Sequence, residues 1–216
     1  TTNAALPVSG AAIWLRADTI AGLADGAGVA SWTDESGNAR NATQGTGASQ
    51  PLFKTNIQNG LPVVRFDGGD DCVFRKATPA IEGLRQLTVE CWFRQDNPEG
   101  RQFLVGKDVA FHFDLGDGLG TSLSLYNHGS SVANAEGLRH QQIGTGLGTV
   151  RYGTWHHLAA TFDGRQVSFF LDGVLKGRSP GGKDFVVGAA SRGLWVASYV
   201  GQDYWFNGRI DEVRVS

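Results

Sequence analysis

The sequence predicts an all-β chain folded as two stacked antiparallel sheets, and three observations carry that reading. Apolar residues alternate with polar ones in short runs bounded by Gly, Asp or Asn, the pattern of strands with one buried face. Glycine supplies 31 of 216 residues, about twice its usual share, which fits many tight turns. Val, Phe, Thr and Trp are plentiful while strong helix formers are thin, with no methionine at all.

The clearest run is Leu87-Thr88-Val89-Glu90-Cys91-Trp92-Phe93-Arg94, which sends Leu87, Val89, Cys91 and Phe93 to the core and the others outward. The run 155–162 follows, then Asp163-Gly164, the run 166–171, Asp172-Gly173 and Val174-Leu175. Two Asp-Gly turns between alternating runs read as a meander of hairpins. Further runs at 11–17, 29–33, 62–66, 72–76, 102–106, 110–115, 122–127, 138–143, 184–188, 194–199 and 205–215 bring the total to about fourteen strands, which need two layers. No repeat or Pro/Ser-rich linker divides the chain, so 1–216 reads as one domain, with 1–62 a lead-in of outer strands and long loops and 63–216 the centre of the sandwich.

Composition bounds the function. With 41% hydrophobic and 19% charged residues the chain can build a core. The net charge of −2 with scattered basic residues argues against nucleic acid and anionic membranes as partners. No stretch reaches the ~20 apolar residues of a membrane-crossing helix, and no signal-peptide pattern opens the chain. Cys72 and Cys91 are too few for a disulfide scaffold or a thiolate zinc site. They can bridge only if Cys72 also points inward and their Cα atoms come within about 7 Å.

Five stretches together carry a resemblance: Phe66-Asp67-Gly68-Gly69-Asp70-Asp71, Leu87 to Trp92, Trp155-His156-His157-Leu158-Ala159-Ala160-Thr161-Phe162-Asp163-Gly164, Phe170-Leu171-Asp172-Gly173, and Phe206 to Val215. In this order they resemble the laminin-G-like jelly-roll domains of the concanavalin A-like lectin/glucanase superfamily. Ile13-Trp14-Leu15-Arg16-Ala17-Asp18 and Ser31 to Asn38 are similar to the lead-in of such domains in large exported bacterial proteins. The resemblance implies a jelly-roll sandwich of two curved sheets, a carbohydrate partner, sometimes a calcium ion, and an extracellular or periplasmic place within a larger multidomain protein.

The residues argue for binding rather than catalysis. Related glucanases carry Glu-x-Asp-x-x-Glu on one strand, and nothing here has that spacing; Glu90, mid-strand, is a framework residue. A lyase would need a His or Tyr base, for which His140-Gln141-Gln142 and Tyr126-x-His128 are the available groups. His156 and His157 point to opposite faces and cannot share a metal. The turn Asp67 to Asp71 offers hard oxygen ligands for calcium, and the resemblance adds Asp211 from the last strand; the competing reading has Asp67, Asp71 and Asp211 pairing with nearby arginines.

For sugar binding, aromatic faces and polar groups concentrate near the end of the chain. The family pattern puts Leu194 and Val196 in the core, so alternation turns Trp195, Ala197 and Tyr199 the other way. Trp195 and Tyr199 would then stand roughly 13 Å apart across a trough at Ala197. Asp203, Tyr204 and Trp205 extend this surface, with Tyr126 and His128 as weaker candidates. The competing reading packs Trp195 beneath the lead-in segment. The expected function is a non-catalytic carbohydrate-binding or adhesion module; the alternatives are a glycanase or lyase on the same scaffold and a protein-interaction spacer.

Overall fold

Sixteen strands and three short 3-10 turns, with no α-helix, make up the described residues of the computed structural model, which are 10–116, 120–127, 140–146, 149–181, 184–188 and 193–216. The first sheet, A, contains β1 (Ile13–Arg16), β4 (Leu52–Gln58), β5 (Leu61–Asp67), β7 (Leu87–Gln95), β12 (Trp155–Phe162), β13 (Gln166–Leu171), β14 (Val174–Pro180) and β16 (Asn207–Val215). Its order is β14-β13-β12-β7-β16-β5-β4, with β1 also paired to β16. The second sheet, B, contains β2 (Ser31–Trp32), β3 (Ala42–Thr43), β6 (Val73–Arg75), β8 (Gln102–Lys107), β9 (Phe111–Leu115), β10 (Thr121–Tyr126), β11 (His140–Gly144) and β15 (Leu194–Val196). Its order is β11-β10-β9-β8-β15-β6-β3-β2. Every pairing between these strands is antiparallel. This is the expected jelly-roll sandwich.

Alternation puts the core between the sheets. Leu87, Val89, Cys91 and Phe93 from β7 meet Phe111, Phe113 and Leu115 from β9 and Leu123 and Leu125 from β10 in one buried cluster. The meander forms as its turns dictate: Asp172 and Gly173 both have positive φ, at 53° and 74°, the geometry of a two-residue type I′ hairpin.

The lead-in is more integral than its composition suggests. Ile13, Leu15, Ala17, Val29, Trp32 and Phe53 belong to the same core cluster. Within this region β3 and β4 are strands that the alternation did not mark. The pair Asn59-Gly60, with φ of 51° and 79°, closes the β4–β5 hairpin with the same turn chemistry as Asp172-Gly173. Conversely, the run 184–188 forms only a bridge at Val187 to Leu84 and Asn127, and the run 194–199 is a strand only as far as Val196.

The two cysteines are free and buried. Cys91 lies in the core of sheet A, whereas Cys72 precedes β6 of sheet B and accepts from the Gln44 amide at 3.3 Å. The conditional bridge is therefore absent. Burial pushes both thiols up, that of Cys91 most.

Candidate functional site

The register of sheet B assembles a row of side chains on its face away from the core. Thr43 pairs with Phe74, Phe74 with Trp195, Trp195 with Gly106, Gly106 with His112, His112 with Ser124, and Ser124 with Gln142. Neighbouring strands lie about 4.8 Å apart, so Trp195 and His112 are separated by roughly 10 Å across Gly106. A Cβ at Gly106 would meet the His112 Cβ at 2.5 Å, so glycine is what lets the two strands close there.

At one end of the row is a cleft of about 460 Å³ with Phe74, Trp195 and Trp205 as aromatic walls and Gln44, Ser49 and Asp70 as polar lining. The Trp195 ring lies tilted against Phe74 with ring centroids 4.4 Å apart. Gly201, at φ +69°, brings the chain against the Trp195 ring edge, where a Cβ would come within 2.5 Å. The Ser49 hydroxyl donates to Asp70 at 2.7 Å. Leu194 and Val196 are buried, and Trp195, half-buried against Phe74 and Gly201, points away from the core and faces the lead-in residues Thr43 to Thr46 and Ser49 across the cleft.

The trough at Ala197 is not there. The strand ends at Val196, Ala197 turns to φ +70° and its methyl is fully buried. Tyr199 therefore leaves the line of Trp195 and enters a second cluster. Its hydroxyl donates to Asp108 at 3.1 Å, and its ring lies 5.1 Å from Phe103 and 6.1 Å from Tyr204. Tyr204 stacks on Phe103 at 5.4 Å, and the Arg101 guanidinium sits 5.3 Å from the Tyr204 ring. The structure thus splits the expected surface: Trp195 and Trp205 share the cleft, Tyr199 and Tyr204 share the Phe103 cluster, and Asp203 is exposed in the turn between them, its carbonyl accepting the Tyr199 N–H at 2.8 Å.

The same face continues through groups that alternation in the run Phe111-His112-Phe113-Asp114-Leu115 could have disclosed. Asp114, fully buried, pairs with Arg101 at 2.5 Å and accepts the Ser122 hydroxyl. His112 is 4% exposed and neither ring nitrogen has a hydrogen-bond partner. Burial, helped by the Arg101 charge, pushes its pKa down to about 3, so the ring is neutral. Tyr126 joins this group, 5.6 Å from His112 and stacked on His140 at 4.4 Å. Gln142 donates to Ser122 at 3.4 Å. His128 lies outside the described residues.

The two expected metal positions separate. Asp67, Asp70 and Asp71 bring carboxylate oxygens within 4.8 Å of one another, an all-oxygen set that suits a hard cation. Burial and the Asp67 charge push the Asp71 carboxyl up to about 6. Asp211 does not join them: β16 aligns Asn207, not Asp211, with Asp67, and four residues along a strand is about 13 Å. The expected pairing with arginines is not found among the described residues either: Arg209 is held by Asp96 and Arg214 by Glu90, while Asp71 accepts the Asp67 N–H and Asp67 the Gly69 N–H.

The remaining histidines are structural. The His156 Nε2 accepts the Arg151 N–H at 3.0 Å, which leaves Nδ1 to donate to Asp172 at 2.8 Å. His157 lies 3.4 Å from Glu90 on the other face, and that contact is the main cause holding the Glu90 carboxyl below its usual value.

With the two sheets and their faces in view, the family model Laminin_G_3 matches residues 67–216, more than half of the chain. The chain belongs to the concanavalin A-like lectin/glucanases superfamily. No curated relative matches the sequence. Among solved structures with the superfamily's sandwich, the binding domain of paraclostridial mosquitocidal protein 1 is similar at 13% identity and a TM-score of 0.63, over 88% of this chain and 47% of that one. Domain 4 of AbnA, a GH43 extracellular arabinanase from Geobacillus stearothermophilus, solved with arabinotriose, is similar at 18% identity and 0.58, over 89% and 93%. The botulinum neurotoxin serotype D ligand-binding domain, solved with N-acetylneuraminic acid, is similar at 10% identity and 0.61, over 95% and 47%. The chain thus spans about half the length of the two toxin domains. At these identities the likeness is one of fold, and it extends over the lead-in, which the family model leaves out.

Proposed function

We propose that this domain is a non-catalytic carbohydrate-binding module of an exported, extracellular protein with further domains, and that its ligand sits in the cleft between Trp195 and Trp205. The observation that carries this reading is the cleft itself, in which indole faces for the C–H surface of a sugar ring stand beside amide, hydroxyl and carboxylate groups for its hydroxyls. The arabinotriose and N-acetylneuraminic acid bound to two domains of the same fold support it. Tyr204, 42% exposed, and Tyr199 and Tyr126 further along the face extend the surface for a longer glycan.

A glycan array spanning arabino-oligosaccharides and sialyllactoses tests the proposal, followed by titration of the strongest binder. Trp205→Ala is expected to weaken binding by about 1–3 kcal/mol with little change in melting temperature. Undiminished binding by Trp205→Ala would remove the cleft as the site. Cleavage of a polysaccharide is the second reading, favoured by the buried His112 beside Tyr126, its Nε2 3.6 Å from Asp114. Products released by wild type and abolished in His112→Phe would replace the first reading with it.

Calcium belongs to the proposal in reduced form, at Asp67, Asp70 and Asp71 without Asp211. Calcium at a hundredfold excess over its dissociation constant would add about 2.7 kcal/mol, a rise of roughly 5–10 °C in melting temperature. The rise is expected to survive Asp211→Asn and to vanish in Asp70→Asn. An unchanged melting temperature in EDTA would exclude the ion.

A further inference from the structure

The outward face of sheet A carries a second cavity that the sequence reading did not reach, and a β-bulge builds it. Along β16, Ile210 pairs with Phe93 and Glu212 with Trp92, so Asp211 is an extra residue with no partner in β7. Ile210 and Val213 are both fully buried. The bulge therefore sends two consecutive residues, Asp211 and Glu212, away from the core, where plain alternation would send one. A second irregularity, in β4 between Lys54 and Gln58, sets the β4–β5 turn opposite them.

Between the two lies a cavity of about 220 Å³, lined chiefly by Trp92, Trp155, Leu61, Asp211 and Glu212. Trp92 and Leu61 are large apolar groups left 42% and 46% exposed. Glu212 accepts the Trp14 indole N–H at 2.5 Å. Asp211 has neither a hydrogen bond nor an ion pair among the described residues, and the cation acting on it, Arg16, is already paired with Asp18 at 2.5 Å. Arg94, which pairs with Trp155 in the sheet, is held by Asp96 at 3.1 Å. The His157 ring, 4.9 Å from that of Trp92, faces Glu90. Negative charge beside exposed indole, with the nearby cations engaged elsewhere, is the surrounding that an organic ammonium ion meets best.

We propose that this cavity binds a primary ammonium group, seated at Asp211 and Glu212 with its carbon skeleton against Trp92 and Trp155. The volume is below the roughly 300–1,000 Å³ of sites for drug-sized ligands, so the occupant is a single ring or one alkylammonium chain. Two sources share that chemistry, an amino sugar with a free amine and a lysine side chain. The proposal does not rest on the Trp195 cleft.

The experiment follows the indole N–H signals of the ¹⁵N-labelled domain during titration with the glucosamine disaccharide and, separately, with Nα-acetyl-lysine amide. Their N-acetylated counterparts serve as controls. The Trp92 and Trp155 signals are expected to shift with one or both amines and not with the acetylated forms, and the responding amine identifies the source. Asp211→Asn is expected to weaken binding about tenfold, while Trp205→Ala leaves it unchanged. Equal binding of an amine and its acetylated form would overturn the proposal, as would no shift with either amine, or loss of binding in Trp205→Ala. Because Asp211→Asn alters a bulge residue, Trp92→Ala at an exposed position provides an independent check and should lose binding with its fold intact.

Discussion

The outward faces of the two sheets treat charge in opposite ways. On sheet A, Glu90 is shared between His157 at 3.4 Å and the buried Arg214 at 3.3 Å, while its own side chain and that of His157 stay 25% and 23% exposed and in reach of water. On sheet B, Asp114 faces away from the core yet is fully buried, and its charge is met only by protein groups. The first arrangement keeps its carboxylate in contact with water, and the second rebuilds a polar interior outside the apolar core. Burial on a face that the core does not need has to be maintained by specific partners, which is why such a face is where a binding surface is sought.

Removing one partner from each face gives the largest expected contrast. Asp114→Ala takes a fully buried acceptor from Arg101 and Ser122 and is expected to cost about 1–3 kcal/mol in denaturant unfolding, whereas His157→Ala, which leaves the partly exposed Glu90 paired with Arg214, is expected to cost about 1 kcal/mol or less. Equal costs would mean that the faces do not differ in this way.

The faces should also differ in the sign of their pH dependence. In the folded state His112 stays neutral down to about pH 3, against an ordinary value of 6.5. Between those values the unfolded chain binds the extra proton, so acidification destabilises. At pH 5 this amounts to about 2 kcal/mol, which His112→Phe should abolish. Asp211, on sheet A, behaves in reverse: burial and the neighbouring Glu212 and Asp18 push its carboxyl up to about 6 from 3.8. Its contribution is full below 3.8 and is lost as pH rises through 6. In contact with water it is worth less, about 1 kcal/mol, which Asp211→Asn should recover at pH 8 and not at pH 4. Stability curves of the two variants that bend the same way would refute the contrast.

Much of the fold was legible because strands with one wet face write their period into the sequence. The run 87–94 and the meander after it followed from alternation and Asp-Gly turns, and the inward Leu194 and Val196 from the family resemblance. What alternation cannot see is a change of backbone direction within a run. Ala197 turns to positive φ and takes Tyr199 away from Trp195, so the expected surface divided. The same limit hid the bulge, although the apolar spacing of Ile210, Val213 and Val215, three positions and then two, does mark a register slip. Composition misled once: Gly, Ala and Asn through 18–62 masked both the Asn59-Gly60 hairpin signal and the contribution of Phe53 to the core. His112 and Asp114 were missed for a different reason, because residues between large apolar neighbours read as filler until the opposite face proves to be covered as well.

The strand β16 lies in the middle of sheet A, between β7 on one side and β5 and β1 on the other. Its neighbours were made long before it: Asn207 donates to a carbonyl 140 positions earlier, and Glu212 accepts from an indole 198 positions earlier. At about 5–20 residues per second, the ribosome needs roughly 10–40 s to bridge the longer gap. From their own synthesis until β16 follows, β5 and β7 each expose an unpaired edge, the kind of edge that recruits foreign strands. The nascent chain therefore has to be escorted or kept dilute until its final strand emerges, and its yield should depend on translation speed and chaperone supply more than the stability of the finished sandwich would suggest.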